Sequence, residues 1–161
     1  MSPNPDREDA LEAATVELFG ELGWDTCDAY HEQCPDGILG RDNQGEVVLT
    51  ERLTPALKAL NPDLPADAIT LAAEELSRDR SALSLPNANR ELHRLLRQGA
   101  RVQFRDDEGR ERDETVRVID WDEPANNDFL LVQQLWVTGD LHKRRPDLVG
   151  FCGVVAGFRS R

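Results

Sequence analysis

The sequence has no long hydrophobic run and only a few cysteines and aromatic residues. No stretch of about 18 apolar residues, enough to cross a bilayer, occurs among its 161 residues. Its first residues lack the charged-then-apolar layout of a secretory signal. The 3 cysteines are an odd number that cannot form a complete disulfide framework, which favours a reducing compartment. We therefore expect a cytoplasmic protein without a membrane segment.

Positive charge is also scarce. The chain has 19 Lys and Arg residues against 31 Asp and Glu residues, and its formal net charge is −12. A surface of this sign repels a phosphate polyanion at long range, which argues against a broad electrostatic platform for nucleic acid. A local basic cleft stays possible, in which case other parts of an assembly would supply most of the affinity.

Several catalytic motifs are missing as well. No glycine-rich phosphate loop is followed by Lys and Ser or Thr, and none of the 3 His residues lies near a nucleophile signature. These absences argue against an ATPase or a serine hydrolase. Cys27, His31 and Cys34 are close enough in sequence to start a zinc site, but a fourth ligand at standard spacing is missing. Buried thiols and a partly exposed histidine are the preferred interpretation.

Apolar side chains that recur every three or four residues predict four helices. The first, over residues 7–22, has an expected buried stripe formed by Leu11, Ala14, Leu18 and Leu22 and widened by Phe19. Capping and helix-ending residues bound the other three, which are expected to begin at Thr50 or Thr54, at Pro65, and at Asn87 or Asn89, and to end near Leu60, Arg78 and Gly99.

From residue 100 the pattern changes to the two-residue alternation of strands. It predicts a hairpin from residues 102–104 and 115–119, then strand segments over 129–132 and 135–137 and a strand from Pro146. Helices followed by a meander of strands indicate an α/β or α+β fold, with helices packed on a mixed, largely antiparallel sheet. The length favours a single domain over residues 1–161.

The most informative local pattern is an acidic residue beside three cations. Asp147 opens an apolar, strand-like run and follows Lys143, Arg144 and Arg145. A carboxylate can hold a hard cation such as Mg²⁺ and the cations can hold a phosphate backbone, as a metal-dependent phosphodiester hydrolase requires. A simple ion pair of Asp147 with Arg144 or Arg145 explains the spacing equally well. No Asp, Glu or Lys follows Asp147.

Two other polar groups carry weaker signals. Gln133 and Gln134 follow an apolar strand and the turn-forming segment 126–128. They could contact a nucleotide or orient an active-site carboxylate, or simply belong to the junction of a loop and a strand. Asp120 and Asp122 would share one strand face, where they could recruit a metal or form a charged edge that discourages aggregation.

Four stretches together resemble the N-terminal region of the R (restriction and translocation) subunit of type I restriction enzymes, the HsdR family. They are LEAATVELFGELGW, GRDNQGEVVLTERLTPALKALNPDLP, ANRELHRLLRQGARV and VRVIDWDEPANNDFLLVQQLWVTGDLHKRRPDLVGF. The similarity spans about residues 8–151. Its most specific part is the last stretch, in which an Asn-Asn-Asp-Phe strand precedes Arg-Arg-Pro-Asp.

This resemblance implies a nuclease domain with a PD-(D/E)xK-like core, in which an Asp begins one strand and an acidic-x-Lys triplet follows on the next. By position, Asp147 would be catalytic and the first metal ligand, and Glu12 in the first helix would be the accessory acidic residue. The implied cofactor is Mg²⁺, with ATP used by motor domains that this chain lacks. The implied partners are double-stranded DNA, contacted by Lys143, Arg144 and Arg145, and the methyltransferase and specificity subunits of a restriction-modification complex.

The sequence departs from the family pattern after Phe151. The atypical tail 152–161 replaces the expected turn and contains no acidic-x-Lys triplet, as a frameshift or an early stop would produce. The resemblance therefore implies the DNA-cleavage module of a type I restriction endonuclease, incomplete at its C-terminus and inactive as this truncated chain. The alternative is a non-catalytic adaptor or docking domain of the same complex, which the acidic charge and the helices within residues 51–98 favour.

Overall fold

The structure, a computed structural model, describes the backbone of residues 5–139, 142–152 and 155–157 and the side chains of residues 7–139 and 142–152. Within these residues the helices are α1 Pro5–Glu21, α2 Thr50–Leu60, α3 Ala66–Ser77 and α4 Leu85–Gln98, and a 3-10 turn lies at Pro124–Asn126. The strands are β1 Asp25–Asp28, β2 Ala100–Arg105, β3 Glu111–Val116, β4 Phe129–Gln133, β5 Val137–Thr138, β6 Lys143–Arg144, β7 Leu148–Cys152 and β8 Val155–Gly157.

The chain divides into two compact units. The first combines residues 1–49 with residues 128–161, and the second is the continuous segment 50–127. The second unit is therefore inserted in the sequence of the first. A single domain over residues 1–161 stays a prediction.

The first unit is built on a four-stranded sheet with the strand order β1-β4-β7-β8. β1 runs parallel to β4, whereas the β4–β7 and β7–β8 pairs are antiparallel. In the central pair, Gln133 lies opposite Leu148 and Phe129 lies opposite Cys152. The fold is α+β with a mixed, largely antiparallel sheet, as predicted, and it is consistent with a PD-(D/E)xK-like core.

Apolar side chains cover both faces of the central strand pair. Alternate residues of a strand share a face, and one face points into a buried cluster formed by Ala29, Leu39, Leu49, Leu130, Val132, Leu135, Val149 and Phe151. On the other face, Trp24 stacks on Phe129 with ring centroids 4.8 Å apart. A Cβ at Gly150 would lie 3.3 Å from the Trp24 ring, so the glycine lets the indole lie directly against β7.

In the second unit, α3 packs against α2 and against the β2–β3 hairpin. Its buried face consists of Ala68, Ile69, Ala72, Ala73 and Leu76. Asn61 joins the end of α2 to the segment after β3. The Asn61 amide donates to the carbonyls of Leu57 and Arg117, and its side-chain oxygen accepts from the Arg117 N–H, each at 2.8 Å.

The predicted helices are confirmed with small shifts in their ends. α2 begins at Thr50 and ends at Leu60, and α3 begins one residue after Pro65. α4 begins at Leu85, earlier than predicted, because Pro86 suits the first turn of a helix. It ends before Gly99, which has a left-handed φ of 85°.

The predicted buried stripe of α1 is wrong. Leu11, Leu18 and Leu22 are 66%, 51% and 66% exposed. Phe19, expected only to widen the stripe, does face inward, and its ring meets Trp24 edge-on with centroids 4.8 Å apart. Aromatic packing, rather than the leucine spacing, therefore decides which face of α1 turns inward.

The predicted strands differ from the structure in several places; among them, the short β6 is not predicted and β7 begins at Leu148 rather than near Pro146. The sequence pattern does not predict β1, and β3 ends at Val116 rather than at residue 119. Residues 135–136 are not in a strand, and β5 pairs only with the short β6. Most of the atypical tail 152–161 lies outside the described residues. No described helix is both long and apolar enough to cross a membrane.

Candidate functional site

The candidate site lies where β4 ends and β7 begins. Because the two strands are antiparallel and Gln133 is opposite Leu148, Gln134 and Asp147 both lie just beyond the same end of the pair. The Gln134 N–H donates to the Asp147 carbonyl at 2.8 Å, which extends the ladder by one bond. Asp147, singled out from its place in the sequence, is thus held at the entrance of β7.

The side chain of Gln134 connects two acidic residues that are far apart in sequence. Its Nε2 donates to Glu12 Oε1 at 3.0 Å and Oε2 at 3.1 Å, and to Asp147 Oδ1 at 3.4 Å. Glu12 projects from α1 and is half-buried, whereas Asp147 is exposed. The structure therefore brings together the two residues proposed as catalytic from the sequence.

The described residues provide no ion pair for these two carboxylates. Among the described residues, no Lys or Arg forms an ion pair with Glu12 or Asp147. The ion pair of Asp147 with Arg144 or Arg145, considered from the sequence, is accordingly not formed in this part of the chain. The hydrogen-bond donor that the two carboxylates share is the neutral amide of Gln134.

Two of the three cations before Asp147 lie against aromatic rings. Lys143 Nζ lies 4.5 Å from the centre of the Trp136 ring. The Arg145 guanidinium lies 4.8 Å from the Tyr30 ring and 5.3 Å from the Trp136 ring. Arg144, opposite Val137 in the β5–β6 pair, is exposed. The three residues proposed to contact DNA thus form one exposed basic segment, here called the Lys143–Arg145 segment.

A buried ion pair fixes the loop beneath this segment. Arg41 and Glu32 form an ion pair in which both side chains are 1% exposed. Arg41 also donates from Nη1 to the Glu46 carbonyl and from Nη2 to the Trp136 carbonyl, each at 3.1 Å. This guanidinium therefore ties the loop after β1 to the residue whose ring contacts Lys143 and Arg145.

The alternative sites considered from the sequence do not converge in this way. In the described part of the chain, no group of three or more His, Cys, Asp or Glu residues is arranged to hold a metal. Cys27 and Cys34 are half-buried and are not joined in a disulfide, and His31 is exposed. Burial raises the pKa of Cys34, and the Glu32 carboxylate adds to the effect. The two thiols are thus less buried, and His31 more exposed, than the preferred interpretation expected.

Asp120 belongs to the second unit and lies in a loop rather than on a strand. It is buried and accepts hydrogen bonds from the backbone N–H groups of Asp122 and Glu123 and from the side chains of Asn126 and Arg117. The Asn126 bond, followed by the backbone bonds, lowers the pKa of Asp120. Its oxygens are occupied in organising the loop, which leaves little capacity for a metal.

The first unit offers a donor set suited to a hard divalent cation. Oxygens of both Glu12 and Asp147 lie within 3.4 Å of Gln134 Nε2, so the two carboxylates lie close to each other on either side of this amide. Mg²⁺ typically takes one or two protein carboxylates and completes its shell with water or phosphate oxygens. The residues present therefore fit the cation that the resemblance implies.

Gln134, Trp136 and Tyr30 are the parts of this site that the sequence signals least. Gln134 adopts a left-handed φ of 55°, which is uncommon for a residue other than glycine and ends the alternation of β4. The two consecutive glutamines were its one signal. The aromatic residues could have been noticed because Trp136 lies a few residues before the cations, but no local pattern connects them with Tyr30.

Known proteins resemble this chain over most of its length. A family model described as type I restriction enzyme R protein N terminus matches residues 6–155. The endonuclease subunit of the type I restriction enzyme HindI from Haemophilus influenzae is 31% identical over 147 residues, which cover 89% of this chain and 14% of that subunit. No solved structure matches the chain. The chain thus corresponds to a small part of the length of its relative.

Proposed function

This chain belongs to the family of type I restriction enzyme R protein N termini, and from that premise we propose that it is the DNA-cleavage module of a type I restriction endonuclease subunit. The observation that carries the proposal is the convergence of Glu12 and Asp147 on the amide of Gln134. Two carboxylates that can hold Mg²⁺ and a basic segment that can hold the phosphates are part of what Mg²⁺-dependent hydrolysis of a phosphodiester requires.

Glu12 and Asp147 are the proposed ligands of Mg²⁺. The bound cation would supply Lewis-acid stabilisation of the charge on the phosphate under attack. Asp147 is exposed and accessible to a DNA strand, whereas the half-buried Glu12 is fixed by α1 and by Gln134. The two carboxylates therefore combine access with a defined position.

The Lys143–Arg145 segment is the proposed contact with the phosphates of double-stranded DNA. Cation–π contacts with Trp136 and Tyr30 restrict the side chains of Lys143 and Arg145 before DNA arrives. Restricted side chains lose less entropy on binding. A local cluster of this kind agrees with the net charge of −12, which disfavours a broad basic surface.

The 161 residues alone are proposed not to cut DNA. No Asp, Glu or Lys follows Asp147 in them, so the acidic-x-Lys triplet of the resemblance has no counterpart. A water-activating Lys and a third carboxylate would have to come from elsewhere. In the complete enzyme, the proposed partners are the methyltransferase and specificity subunits, in the cytoplasm, with ATP used by separate motor domains.

A nuclease assay tests the inactivity of the isolated chain. Supercoiled plasmid incubated with the purified chain and Mg²⁺ is expected to stay intact over a time in which a known nuclease linearises it. Mg²⁺-dependent cleavage that Asp147→Ala abolishes would contradict the proposed inactivity, although it would support the assignment of Asp147.

Binding to DNA tests the nuclease assignment itself. We expect the chain to bind a 20-base-pair duplex at low salt, with a Kd of roughly 10⁻⁴ to 10⁻⁶ M as for nonspecific contacts. Replacing Lys143, Arg144 and Arg145 by Ala should weaken binding and reduce the slope of log Kd against log salt by about 2.7, because each phosphate contact contributes about 0.9. Fluorescence anisotropy across a salt series measures both quantities.

A matched control removes three arginines from the β2–β3 hairpin. Arg105, Arg110 and Arg112 lie within 3.7 Å of carboxylates of the same hairpin, so their charges are locally balanced. Their replacement by Ala changes the net charge equally and should leave the salt slope unchanged. Equal losses from both triple variants would mean that binding follows net charge, and the role proposed for the Lys143–Arg145 segment would be wrong.

An adaptor or docking domain is the second candidate. It is favoured by the exposed leucines of α1, because Leu11, Leu18 and Leu22 form an apolar stripe on a strongly acidic chain. A protein partner would cover such a stripe more readily than DNA would. Tight binding to a methyltransferase or specificity subunit, lost in Leu18→Glu, together with no binding to duplex DNA would establish this alternative over the nuclease.

A further inference from the structure

Gln134 has a backbone conformation that its own chemistry does not favour. Its φ of 55° lies in the left-handed region, where a residue other than glycine is strained and persists only when the surroundings determine it. Here the Gln134 N–H bonds to the Asp147 carbonyl at 2.8 Å, and the preceding residue is held in the β4–β7 register. The strained backbone is therefore fixed by the entrance of the strand that carries Asp147.

The side chain of this residue lies between two negative charges. One nitrogen, Nε2, donates to both oxygens of Glu12 and to one oxygen of Asp147. Two ionised carboxylates repel each other, and a hydrogen-bond donor between them offsets part of that repulsion. A neutral amide does so without adding a charge that would compete with a cation.

From these observations we infer that Gln134 is a positioning residue, which holds Glu12 and Asp147 close enough to each other to bind a divalent cation together. The inference rests on the proposed function, because it assigns Gln134 a role only if these two carboxylates are the ligands. It adds a residue that is neither acidic nor basic to the site.

The test separates the reach of the side chain from the conformation of the backbone. Gln134→Asn keeps an amide and suits the left-handed region better than Gln does, but it is shorter by one methylene and cannot span both carboxylates. The matched control is Gln133→Asn, the same change one residue earlier on β4. Binding of Mn²⁺ to the full chain, followed by electron paramagnetic resonance, supplies a readout independent of catalysis.

We expect Gln134→Asn to weaken Mn²⁺ binding about tenfold, in the range seen when outer-shell partners of metal ligands are removed. Its thermal midpoint in EDTA should stay close to that of the unchanged chain, and Gln133→Asn should bind Mn²⁺ normally. Gln134→Glu should bind Mn²⁺ at least as tightly as the unchanged chain, because a third carboxylate adds a ligand. A merely structural Gln134 would make both of its variants weaker in proportion to lost stability.

Two results would overturn the inference in distinguishable ways. If Asp147→Asn abolishes Mn²⁺ binding but Gln134→Asn binds normally, the metal site stands and Gln134 does not position it. If the unchanged chain binds no Mn²⁺, or if Glu12→Gln and Asp147→Asn bind as tightly as it does, the metal ligands of the proposed function are wrong and the inference falls with them.

Discussion

The two units differ in the partners that their carboxylates have. In the second unit, acidic side chains are paired with arginines: Arg78 and Arg80 both contact Glu75 and Glu91, Arg110 contacts Asp106, and Arg117 contacts Asp120. In the first unit, Glu12 and Asp147 share a neutral amide, and no Lys or Arg of the described residues pairs with either.

This difference separates charges that support structure from charges that remain able to bind. A carboxylate whose oxygens are taken by an arginine has little left for a ligand, whereas two that converge without a cation carry a repulsion that a bound cation would relieve. Function-bearing sites often depart from the local rules that the rest of a chain obeys. One exception within the first unit is Glu32, which is paired with the buried Arg41.

The largest loss of stability is expected at the Arg41–Glu32 ion pair. Arg41→Met would leave Glu32 buried without a partner and should lower the free energy of unfolding by about 3–5 kcal/mol. Arg78→Met in the second unit should cost less than about 1 kcal/mol, since Arg78 is 52% exposed and its pairs are screened by solvent. Urea denaturation of both variants measures the contrast. Similar losses would mean that burial does not distinguish the two pairs.

A smaller loss of stability is expected when Asn61 of the second unit is replaced. Asn61→Ala removes three hydrogen bonds of the side chain, one to Leu57 in α2 and two to Arg117 after β3. It leaves the Arg117 N–H without its partner, so the cost should be about 2 kcal/mol. Asn89→Ala, an exposed change within α4, is the control and should stay within about 0.5 kcal/mol. A loss at Asn61 as small as the control's would show that water replaces these bonds.

The sequence predicted those parts of the fold that depend on neighbours along the chain. The ends of α2, α3 and α4 follow from local breakers and caps such as Pro65 and Gly99. The inward face of α1 depends instead on Phe19 meeting Trp24, which in turn stacks on Phe129 in a distant strand. No periodicity within α1 contains that information, and the leucine spacing pointed to the wrong face.

The candidate site likewise contains residues that the local sequence reveals and residues that depend on distant contacts. Asp147 and the cations before it are adjacent in sequence, so their chemistry was visible from the residues alone. Glu12 entered only through the resemblance to a family, and the Gln134 bond that joins it to the site spans 122 residues. The left-handed backbone of Gln134 is a consequence of tertiary structure, which is why two consecutive glutamines were only a weak signal.

Acid should weaken the second unit through its satisfied carboxylates. Hydrogen bonds from Asn126 and from nearby backbone groups lower the pKa of Asp120, and bonds from Arg110 lower that of Asp106. A lowered folded-state pKa means that the stability is fully present above the unfolded value, about 3.9 for Asp, and is lost as the pH falls through the folded pKa. Denaturation midpoints measured from pH 6 to pH 2 should therefore fall less steeply in Asp120→Asn than in the unchanged chain. If the midpoints of the two proteins fall with pH in parallel, Asp120 does not contribute to the acid sensitivity.

The smallest expected effect is on the thermal midpoint, which an Asp→Asn substitution should shift in opposite directions in the two units. Asp147→Asn retains an oxygen that can accept from Gln134 but removes the repulsion with Glu12, so in EDTA the thermal midpoint should rise by about 1 °C. Asp106→Asn makes the same substitution in the second unit, where it removes a charge-assisted bond from Arg110 Nε at 3.0 Å, and the midpoint should fall. Differential scanning calorimetry of the two variants resolves the signs. If both midpoints fall, the carboxylates of the first unit are as much a part of its stability as those of the second, and the contrast between binding and structural charges is lost.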